Sequence, residues 1–188
     1  MDIERLNLLL WILFALVWLA LSLRTKPTGE RAPLVWRLRY GIPVVIGCCL
    51  LFVRSVPFAS LYRLFPESRL LEGVSLFLVA AGIAFAVWAR LYIGGNWSVD
   101  VSIKVGHELI RGGPYRWVRH PIYSGILLAL VGTALGRRQA IGFIAAACFC
   151  LGFWIKSRLE EQFMQKTFGT RYLEYSRSTG ALIPRLRS

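Results

Sequence analysis

The stretch LIRGGPYRWVRHPIYSG, residues 109–125, decides how this chain folds and functions, because it is polar and motif-rich yet lies between long apolar runs. It contains His120, which is one of two histidines, the pair Gly112 and Gly113, and three arginines. Pro121 then leads directly into an apolar run. So specific a mixture at the start of an apolar helix indicates a site at a membrane face rather than an ordinary surface loop.

Five apolar runs surround this stretch and predict an all-α integral membrane protein with about five transmembrane helices. Hydrophobic residues make up 56% of the chain and the mean hydropathy is +0.53, which favours a membrane protein. The runs cover residues 6–23, 40–53, 70–93, 122–135 and 140–155. The first and third reach the ~20 residues of a spanning helix, whereas the second and fourth are short and are expected to tilt or borrow flanking residues. Acidic residues precede the first run, so we expect a span there rather than a signal peptide.

The 23 lysine and arginine residues divide unequally if five helices alternate, with seventeen on one side and six on the other. The seventeen are Arg24, Lys26, Arg31, Arg37, Arg39, Arg90, Lys104, Arg111, Arg116, Arg119, Lys156, Arg158, Lys166, Arg171, Arg177, Arg185 and Arg187; the six are Arg5, Arg54, Arg63, Arg69, Arg137 and Arg138. The positive-inside rule therefore predicts an outside N-terminus and a cytoplasmic C-terminus. It also explains the net charge of +13 without a nucleic-acid partner and favours contact with anionic membrane lipids.

The two halves of the chain differ in character. Residues 1–93 are expected to form a three-helix transmembrane scaffold, and residues 94–188 the working region with the polar loop, the last two helices as a hairpin and a cytoplasmic tail. The tail is expected to extend the fifth helix to Gly169 and to continue as a short helix whose Tyr172 and Tyr175 could pack over the site. The four cysteines occupy adjacent or i,i+2 positions inside apolar runs, so no metal site and no disulfide framework are predicted.

Residues around Pro121 have the properties of a ligand site. Proline fits the first turn of a helix, and it biases His120 toward an extended conformation that projects from the helix mouth. The N-terminus of that helix suits a carboxylate. The pair Gly112 and Gly113 would let backbone amides approach a ligand closely. Motifs of nucleotide triphosphatases, dinucleotide-binding proteins, zinc proteases and serine hydrolases do not occur in the sequence.

A charged cluster follows the fifth apolar run and faces this region if the last two helices form a hairpin. It comprises Lys156, Arg158, Glu160 and Glu161. One glutamate could match an ammonium group on a ligand, and the basic residues could match a carboxylate.

The order and spacing of these blocks resemble a known family. GGPYRWVRHPIYSG (112–125), the paired glutamates, FGTRYLEY (168–175) and LIP (182–184) are similar to the isoprenylcysteine carboxyl methyltransferase family and its phospholipid N-methyltransferase relatives. The resemblance covers about residues 94–184. It implies an integral membrane enzyme that binds S-adenosylmethionine in a non-Rossmann pocket at the cytosolic face and methylates a lipidic or prenylated substrate.

The resemblance also implies roles for individual residues. The implied cofactor contacts are Asp100, His107, Glu108, Leu109, Ile110, Tyr115, His120, Pro121, Ile122 and Tyr123. The cofactor's amino group would be held by Glu160 or Glu161, between which the register does not decide. Lys156 or Arg158 would meet the substrate carboxylate, where the eukaryotic enzyme has an arginine; a lysine would weaken bidentate recognition.

The nature of the methyl acceptor decides what catalysis requires. With a carboxylate, opposite charges annihilate in the transition state, so holding the reactants in line is sufficient and no base is needed. An amine, as in phospholipid headgroup N-methylation, must be neutral, and His120 or a glutamate could then act as base. Two further alternatives remain: a sterol-type membrane reductase using NADPH, which would need a larger basic pocket, and a non-catalytic membrane protein. The sequence does not predict the oligomeric state.

Overall fold

The computed structural model of the protein describes residues 3–52 and 63–185. Val53, Arg54 and Arg187, which belong to the second apolar run and to the charge division above, lie outside the described residues. The elements in chain order are α1 (Ile3–Ser22), β1 (Thr28–Arg31), α2 (Leu34–Phe52), α3 (Arg69–Ile93), a 3-10 turn (Gly94–Asn96), β2 (Ser102–Lys104), a second 3-10 turn (Gly113–Arg116), α4 (Pro121–Arg137), α5 (Ala140–Phe168) and α6 (Thr170–Ser178).

Five of these helices are apolar, which confirms the predicted membrane character. Four have the length and composition to cross a membrane within the described ranges, namely Ile3–Ser22, Leu34–Leu51, Arg69–Asn96 and Ala140–Phe168. The apolar helix α4 has 17 residues. At ~1.5 Å per residue it is about 25 Å long, against a hydrocarbon core of ~30 Å. The fourth run is therefore helical and short, as expected, whereas the number of spans stays a prediction.

The helices alternate in direction, so one end of the bundle collects the C-terminal ends of α1 and α3 and the N-terminal end of α2. Lys26, after α1, donates its backbone N–H to the carbonyl of Gly95, after α3, at 2.9 Å. Arg37 of α2 forms a salt bridge of 3.0 Å with Asp100, beyond α3. We call this the site end of the bundle, because α4 begins there and the polar part of α5 lies there.

Small residues bring α3 and α4 into close contact. A Cβ on Gly82 would lie 2.5 Å from the carbonyl oxygen of Gly125, and a Cβ on Gly125 would lie 2.6 Å from that of Gly82. Ala86 and Ala129 are fully buried in the same part of the bundle. Helices in a membrane associate largely through such close packing. This contact fixes the position of Pro121 and the start of α4.

Polar contacts connect α1, α3 and α4 near the opposite end of the bundle. Asn7 donates from Nδ2 to Ser75 Oγ at 3.4 Å, and Ser75 donates to the carbonyl of Gly132 at 2.8 Å. Trp11 donates from Nε1 to Thr133 Oγ1 at 3.0 Å. Hydrogen bonds between spanning helices contribute on the order of 1 kcal/mol each.

Helix α5 packs on α2 and turns back tightly from α4. A Cβ on Gly47 would lie 2.7 Å from the ring of Phe149, and one on Gly152 would lie 2.9 Å from the carbonyl of Tyr40. Arg138, with a φ of 56°, and Gln139 connect the end of α4 at Arg137 to the start of α5 at Ala140. This short connection confirms the tight helical hairpin predicted from residues 136–139.

The prediction of an all-α fold is wrong in one detail. Strands β1 and β2 pair antiparallel, with Thr28 opposite Lys104 and Arg31 opposite Ser102. Strands of four and three residues are too short to show an alternating pattern in the sequence. The small sheet joins the loop after α1 to the loop after α3.

Candidate functional site

A cavity at the site end brings together segments that are far apart in the sequence. It is lined by residues of the loop after α3, the start of α4, the polar part of α5, and α6. The residues proposed from the sequence that line it are Asp100, His107, Glu108, Leu109, Ile110, Tyr115, His120, Pro121, Ile122, Tyr123 and Glu160. Glu161, Lys156 and Arg158 lie next to the cavity lining rather than in it.

Glu160 carries its carboxylate on the cavity wall and is held there from α4. Tyr123 donates its hydroxyl to Glu160 Oε1 at 2.6 Å, and His120 Nδ1 lies 3.3 Å from Oε2. The rings of His120 and Tyr123 stack in parallel with centroids 5.6 Å apart, and Tyr123 stacks on Phe153 at 4.7 Å. A carboxylate has about four lone-pair positions, so these two contacts leave capacity for a ligand donor.

His120 is placed between both glutamates. Its Nε2 lies 3.3 Å from Glu161 Oε1, opposite the Nδ1 contact with Glu160. Burial alone lowers the pKa of His120, but its hydrogen bonds to Glu160 and Glu161 outweigh burial and raise the pKa above its ordinary value. Because both ring nitrogens face carboxylates, both donate when the ring is the imidazolium ion.

The start of α4 agrees with the sequence prediction in part. Pro121 is the first residue of the helix, and His120 before it makes no side-chain capping bond. The φ of His120 is −124°, but its ψ of 59° falls short of the extended region that proline was expected to impose. Its backbone N–H donates to the carbonyl of Ala181 at 3.1 Å, so the C-terminal segment determines this local geometry.

Glu161 does not line the cavity and forms an ion pair with Arg119, which does. Arg119 donates to Glu161 Oε1 from Nη2 at 2.6 Å and from Nε at 2.8 Å. Their side chains are 10% and 15% exposed. Arg119 also donates to the carbonyls of Ser176 and Thr179 at the end of α6. The pair therefore joins the start of α4, α5 and α6.

Helix α6 covers the cavity, as the sequence predicted. Tyr172 and Tyr175 are buried and line it. Tyr175 donates its hydroxyl to the carbonyl of Tyr115 at 2.6 Å. Helix α5 ends at Gly169, the expected C-cap, which has a φ of 55°. Burial raises the pKa of both Tyr172 and Tyr175, so their hydroxyls stay protonated.

The two basic candidates have different environments. Lys156 donates from Nζ to the carbonyl of Val99 at 2.6 Å and lies 5.3 Å from the ring centroid of Tyr123. Arg158 has a side chain that is 65% exposed and a long salt bridge of 3.7 Å to Glu161. Lys156 is therefore the basic residue on the cavity side of α5.

The loop after α3 supplies the other wall. The backbone N–H of Lys104 donates to His107 Nδ1 at 3.3 Å, and burial, with nearby Lys26 and Lys104, lowers the pKa of His107. Neutral His107 therefore accepts at Nδ1 and carries its hydrogen on Nε2. Asp100 lines the cavity, but Arg37 engages both of its carboxylate oxygens, at 3.1 and 3.0 Å.

The glycine pair has a different role from the one expected. Gly112 and Gly113 do not line the cavity. A Cβ on Gly113 would lie 2.6 Å from the ring of Tyr92, and the residue has a φ of 54°. The expectation that these glycines bring backbone amides to a ligand is therefore wrong; Tyr92 packs against them instead.

Several lining residues were not proposed from the sequence. Phe163 and Met164 follow Glu160 at i+3 and i+4, so their spacing on α5 could have identified them. Ser102 also lines the cavity; its hydroxyl oxygen, like that of the expected residue Tyr172, is buried without a hydrogen-bond partner among residues 3–52 and 63–185. Buried unpaired hydroxyls are costly, so they favour a polar ligand in this cavity.

Comparison with known proteins gives a match that contains most of this site. A family model described as phospholipid methyltransferase matches residues 68–171, just over half of the chain. The matched range begins with α3 and ends at the first turn of α6.

Individual relatives and a solved structure agree with that match. The chain is 31% identical over 120 residues to the cobalt-zinc-cadmium resistance protein CzcN of Cupriavidus metallidurans, covering 63% of this chain and 51% of that protein. It is 32% identical over 87 residues to protein-S-isoprenylcysteine O-methyltransferase A of Arabidopsis thaliana, covering 46% and 44%. The chain thus spans about half the length of these relatives. A solved eukaryotic intramembrane Ras methyltransferase, isoprenylcysteine carboxyl methyltransferase, has a similar fold, with a TM-score of 0.53 and 22% identity over 77% of this chain and 52% of the other.

Proposed function

The chain belongs to the phospholipid methyltransferase family, and on that premise we propose that it is an integral membrane methyltransferase that uses S-adenosylmethionine and acts on a lipidic substrate. One observation carries the proposal. Within the matched range, the segments around His107, His120 and Glu160 converge on one cavity, whose wall presents the carboxylate of Glu160. We propose further that residues 1–93 mainly form the scaffold and that residues 94–188 form the catalytic region.

The chemistry of the cavity fits the proposed cofactor. S-adenosylmethionine carries an amino group, a carboxylate, ribose hydroxyls and an aromatic base. Of the adjacent pair, Glu160 rather than Glu161 would hold the amino group, because Glu160 lines the cavity and has lone pairs left. The hydroxyls of Ser102 and Tyr172, which have no hydrogen-bond partner in the described part of the chain, offer partners for polar groups, and Tyr115 and Ile122 offer apolar surface. When bound, the cofactor supplies an electrophilic methyl group on a sulfonium centre.

The residues of the chain would contribute by orientation and by exclusion of water. His120 and Tyr123 fix the Glu160 carboxylate through hydrogen bonds, and their stacked rings restrict its movement. Tyr172 and Tyr175 on α6 would shield the cavity. Lys156 is proposed to attract the carboxylate of the acceptor, since its ammonium lies beside Tyr123, whereas Arg158 is exposed. Holding two reactants in line contributes much of the rate in such a displacement.

The state of His120 favours a carboxylate acceptor over an amine. A carboxylate needs no base, because its charge cancels that of the sulfonium as the bond forms. An amine would have to lose a proton. Both ring nitrogens of His120 face carboxylates, and despite burial its hydrogen bonds to them raise its pKa, which favours the imidazolium ion; in that form the ring cannot accept a proton. We therefore propose methyl ester formation on a prenylated or similar lipidic carboxylate.

The orientation in the membrane is part of the proposal. The positive side of the bundle is the site end, where Lys26, Arg37, Lys104 and Arg119 lie. The positive-inside rule places that end, and with it the C-terminus, in the cytoplasm. A cytosolic cofactor would then reach the cavity directly.

The experiment that tests this function combines ligand binding with product analysis. Purified full-length chain in detergent is titrated by calorimetry with S-adenosylhomocysteine and, separately, with NADPH. Binding of the first and not the second supports the proposal; binding of NADPH alone would favour a reductase, and binding of neither a non-catalytic protein. Radiolabelled methyl transfer to an S-farnesylcysteine derivative and to phosphatidylethanolamine then identifies the acceptor. A methyl ester releases methanol in base, whereas an N-methyl group does not.

A further inference from the structure

A second, basic cavity lies beside the first at the site end. It is lined by the end of α1, β1, and the loop before β2. Its charged lining residues are Lys26, Arg31, Asp100 and Lys104, and it shares Trp97, Ser98 and Asp100 with the first cavity. Lys26 and Arg31 precede residue 68, so the family match does not include them.

The charges of this cavity are unbalanced. Asp100 is its acidic lining residue, and Arg37 engages both of its oxygens. Within the described ranges, Lys26, Arg31 and Lys104 form no salt bridge. Three cationic residues therefore line one polar cavity whose acidic lining residue is already paired with Arg37.

Two of these cations, Lys26 and Lys104, are held by hydrogen bonds within the fold, whereas Arg31 is exposed at the cavity rim. Lys104 is 7% exposed, and its Nζ donates to Thr28 Oγ1 at 2.9 Å across the β1–β2 pair. Lys26 Nζ is held by Asn96 Oδ1 at 3.0 Å and by the carbonyl of Gly106 at 2.9 Å. The positive-inside rule explains exposed cations, but it does not explain the burial of Lys104, since the nearby carboxylate of Asp100 is already engaged by Arg37.

We propose that this second cavity binds a phosphate group, as a monoester or a diester. Three cations can contact several oxygens at once, and a phosphate offers more acceptor oxygens than a carboxylate. Thr28 accepts from Lys104, so its own hydroxyl hydrogen is available to donate to the anion. Lysine is a common phosphate ligand as a compact charge.

The second cavity lies next to the first, which is the proposed cofactor site. Trp97, Ser98 and Asp100 separate it from the first cavity, so a phosphate bound there would lie beside the proposed cofactor site. The phosphate could come from the headgroup of a membrane lipid or from a soluble phosphorylated compound. The inference is independent of the proposed methyl transfer, since none of Lys26, Arg31 and Lys104 lines the first cavity.

The test compares two arginines of the same linker. Both arginines are exposed, but Arg31 lines the cavity and Arg24 does not, so Arg31→Gln removes a charge of the cavity and Arg24→Gln is the matched control. The melting temperature of the full chain in uncharged detergent is followed against inorganic phosphate, with sodium chloride keeping the ionic strength constant. We expect the melting temperature to rise saturably with phosphate concentration. The apparent affinity for phosphate should be at least fivefold weaker in Arg31→Gln and should change less than twofold in Arg24→Gln.

A second arm identifies the source of the phosphate. Dihexanoyl phosphatidylglycerol below its micellar concentration is titrated against dihexanoylglycerol, which lacks the phosphate. Competition between the lipid and inorganic phosphate, sensitive to Arg31→Gln, supports a headgroup; saturable binding of inorganic phosphate without the lipid supports a soluble ligand. The proposal is overturned if sodium chloride alone produces the same rise in melting temperature, or if Arg31→Gln and Arg24→Gln have equal affinities for inorganic phosphate. Binding of S-adenosylhomocysteine to the Arg31→Gln variant tests the first cavity separately. A failure of the phosphate proposal can therefore be distinguished from a failure of the proposed methyltransferase function.

Discussion

Glu160→Gln is expected to weaken cofactor binding and Glu161→Gln to lower stability, although the two residues are adjacent. Glu160 lies on the cavity wall with a side chain that is 24% exposed, and its partners are Tyr123 and His120. Loss of its charge removes a charge-assisted hydrogen bond to the cofactor's amino group, worth ~1.5–3 kcal/mol. At ~1.4 kcal/mol per factor of ten, Glu160→Gln should weaken S-adenosylhomocysteine binding about 10- to 100-fold.

Glu161→Gln should act on stability instead. The Arg119 guanidinium is 10% exposed and would lose its carboxylate. Removing one partner of a buried pair costs ~3–5 kcal/mol, and we expect about 3 kcal/mol because glutamine keeps an acceptor oxygen. The folded fraction of this variant should bind S-adenosylhomocysteine within a few-fold of wild type.

Calorimetry for affinity and thermal unfolding in detergent for stability separate the two effects. Glu174→Gln is the matched control, because Glu174 is exposed on α6 and should change neither quantity. Wild-type affinity in Glu160→Gln, or a loss of affinity in Glu161→Gln without a loss of stability, would refute the assignment of the two carboxylates.

Three further outcomes are expected. The stabilisation that His120 contributes should be complete below its unfolded pKa of ~6.5 and be lost as the pH rises through its raised folded pKa; melting temperatures from pH 6 to 9 should therefore fall more in wild type than in His120→Gln. Gly82→Ala should destabilise the protein by about 1–3 kcal/mol through overpacking against α4, whereas Gly73→Ala, whose Cβ would meet nothing within 4 Å, should not, as thermal unfolding would show. A C-terminal reporter that is active only outside the cytoplasm should stay inactive in cells, and its activity would contradict the proposed orientation.

Local sequence signals predicted the elements that frame the site. Pro121 marked the start of α4, Gly169 marked the end of α5, and the spacing of Tyr172 and Tyr175 indicated the helix that covers the cavity. Each of these signals acts within a few residues of the chain, through proline geometry, a glycine cap or helical periodicity. Such features are available from the sequence without knowledge of the tertiary contacts.

Other features depend on contacts that the sequence does not specify. The glycines at positions 112 and 113 are explained by Tyr92, a residue of α3 that no local pattern connects with them. The strand pair depends on where the loop after α1 meets the loop after α3. Neither contact leaves a periodic signal, because both involve short irregular segments.

The choice between the two glutamates shows most clearly why tertiary contacts are needed. Consecutive residues on a helix point about 100° apart, so the sequence places either carboxylate near the site without deciding which one faces the cavity. Arg119 settles this by engaging Glu161 and the end of α6, which turns that carboxylate into a structural contact. His120 bridges both acids, so two adjacent negative charges can be buried together. Glu160 then remains the glutamate of this adjacent pair that lines the cavity, and the Arg119–Glu161 pair, whose arginine also lines the cavity, holds the start of α4 against α5.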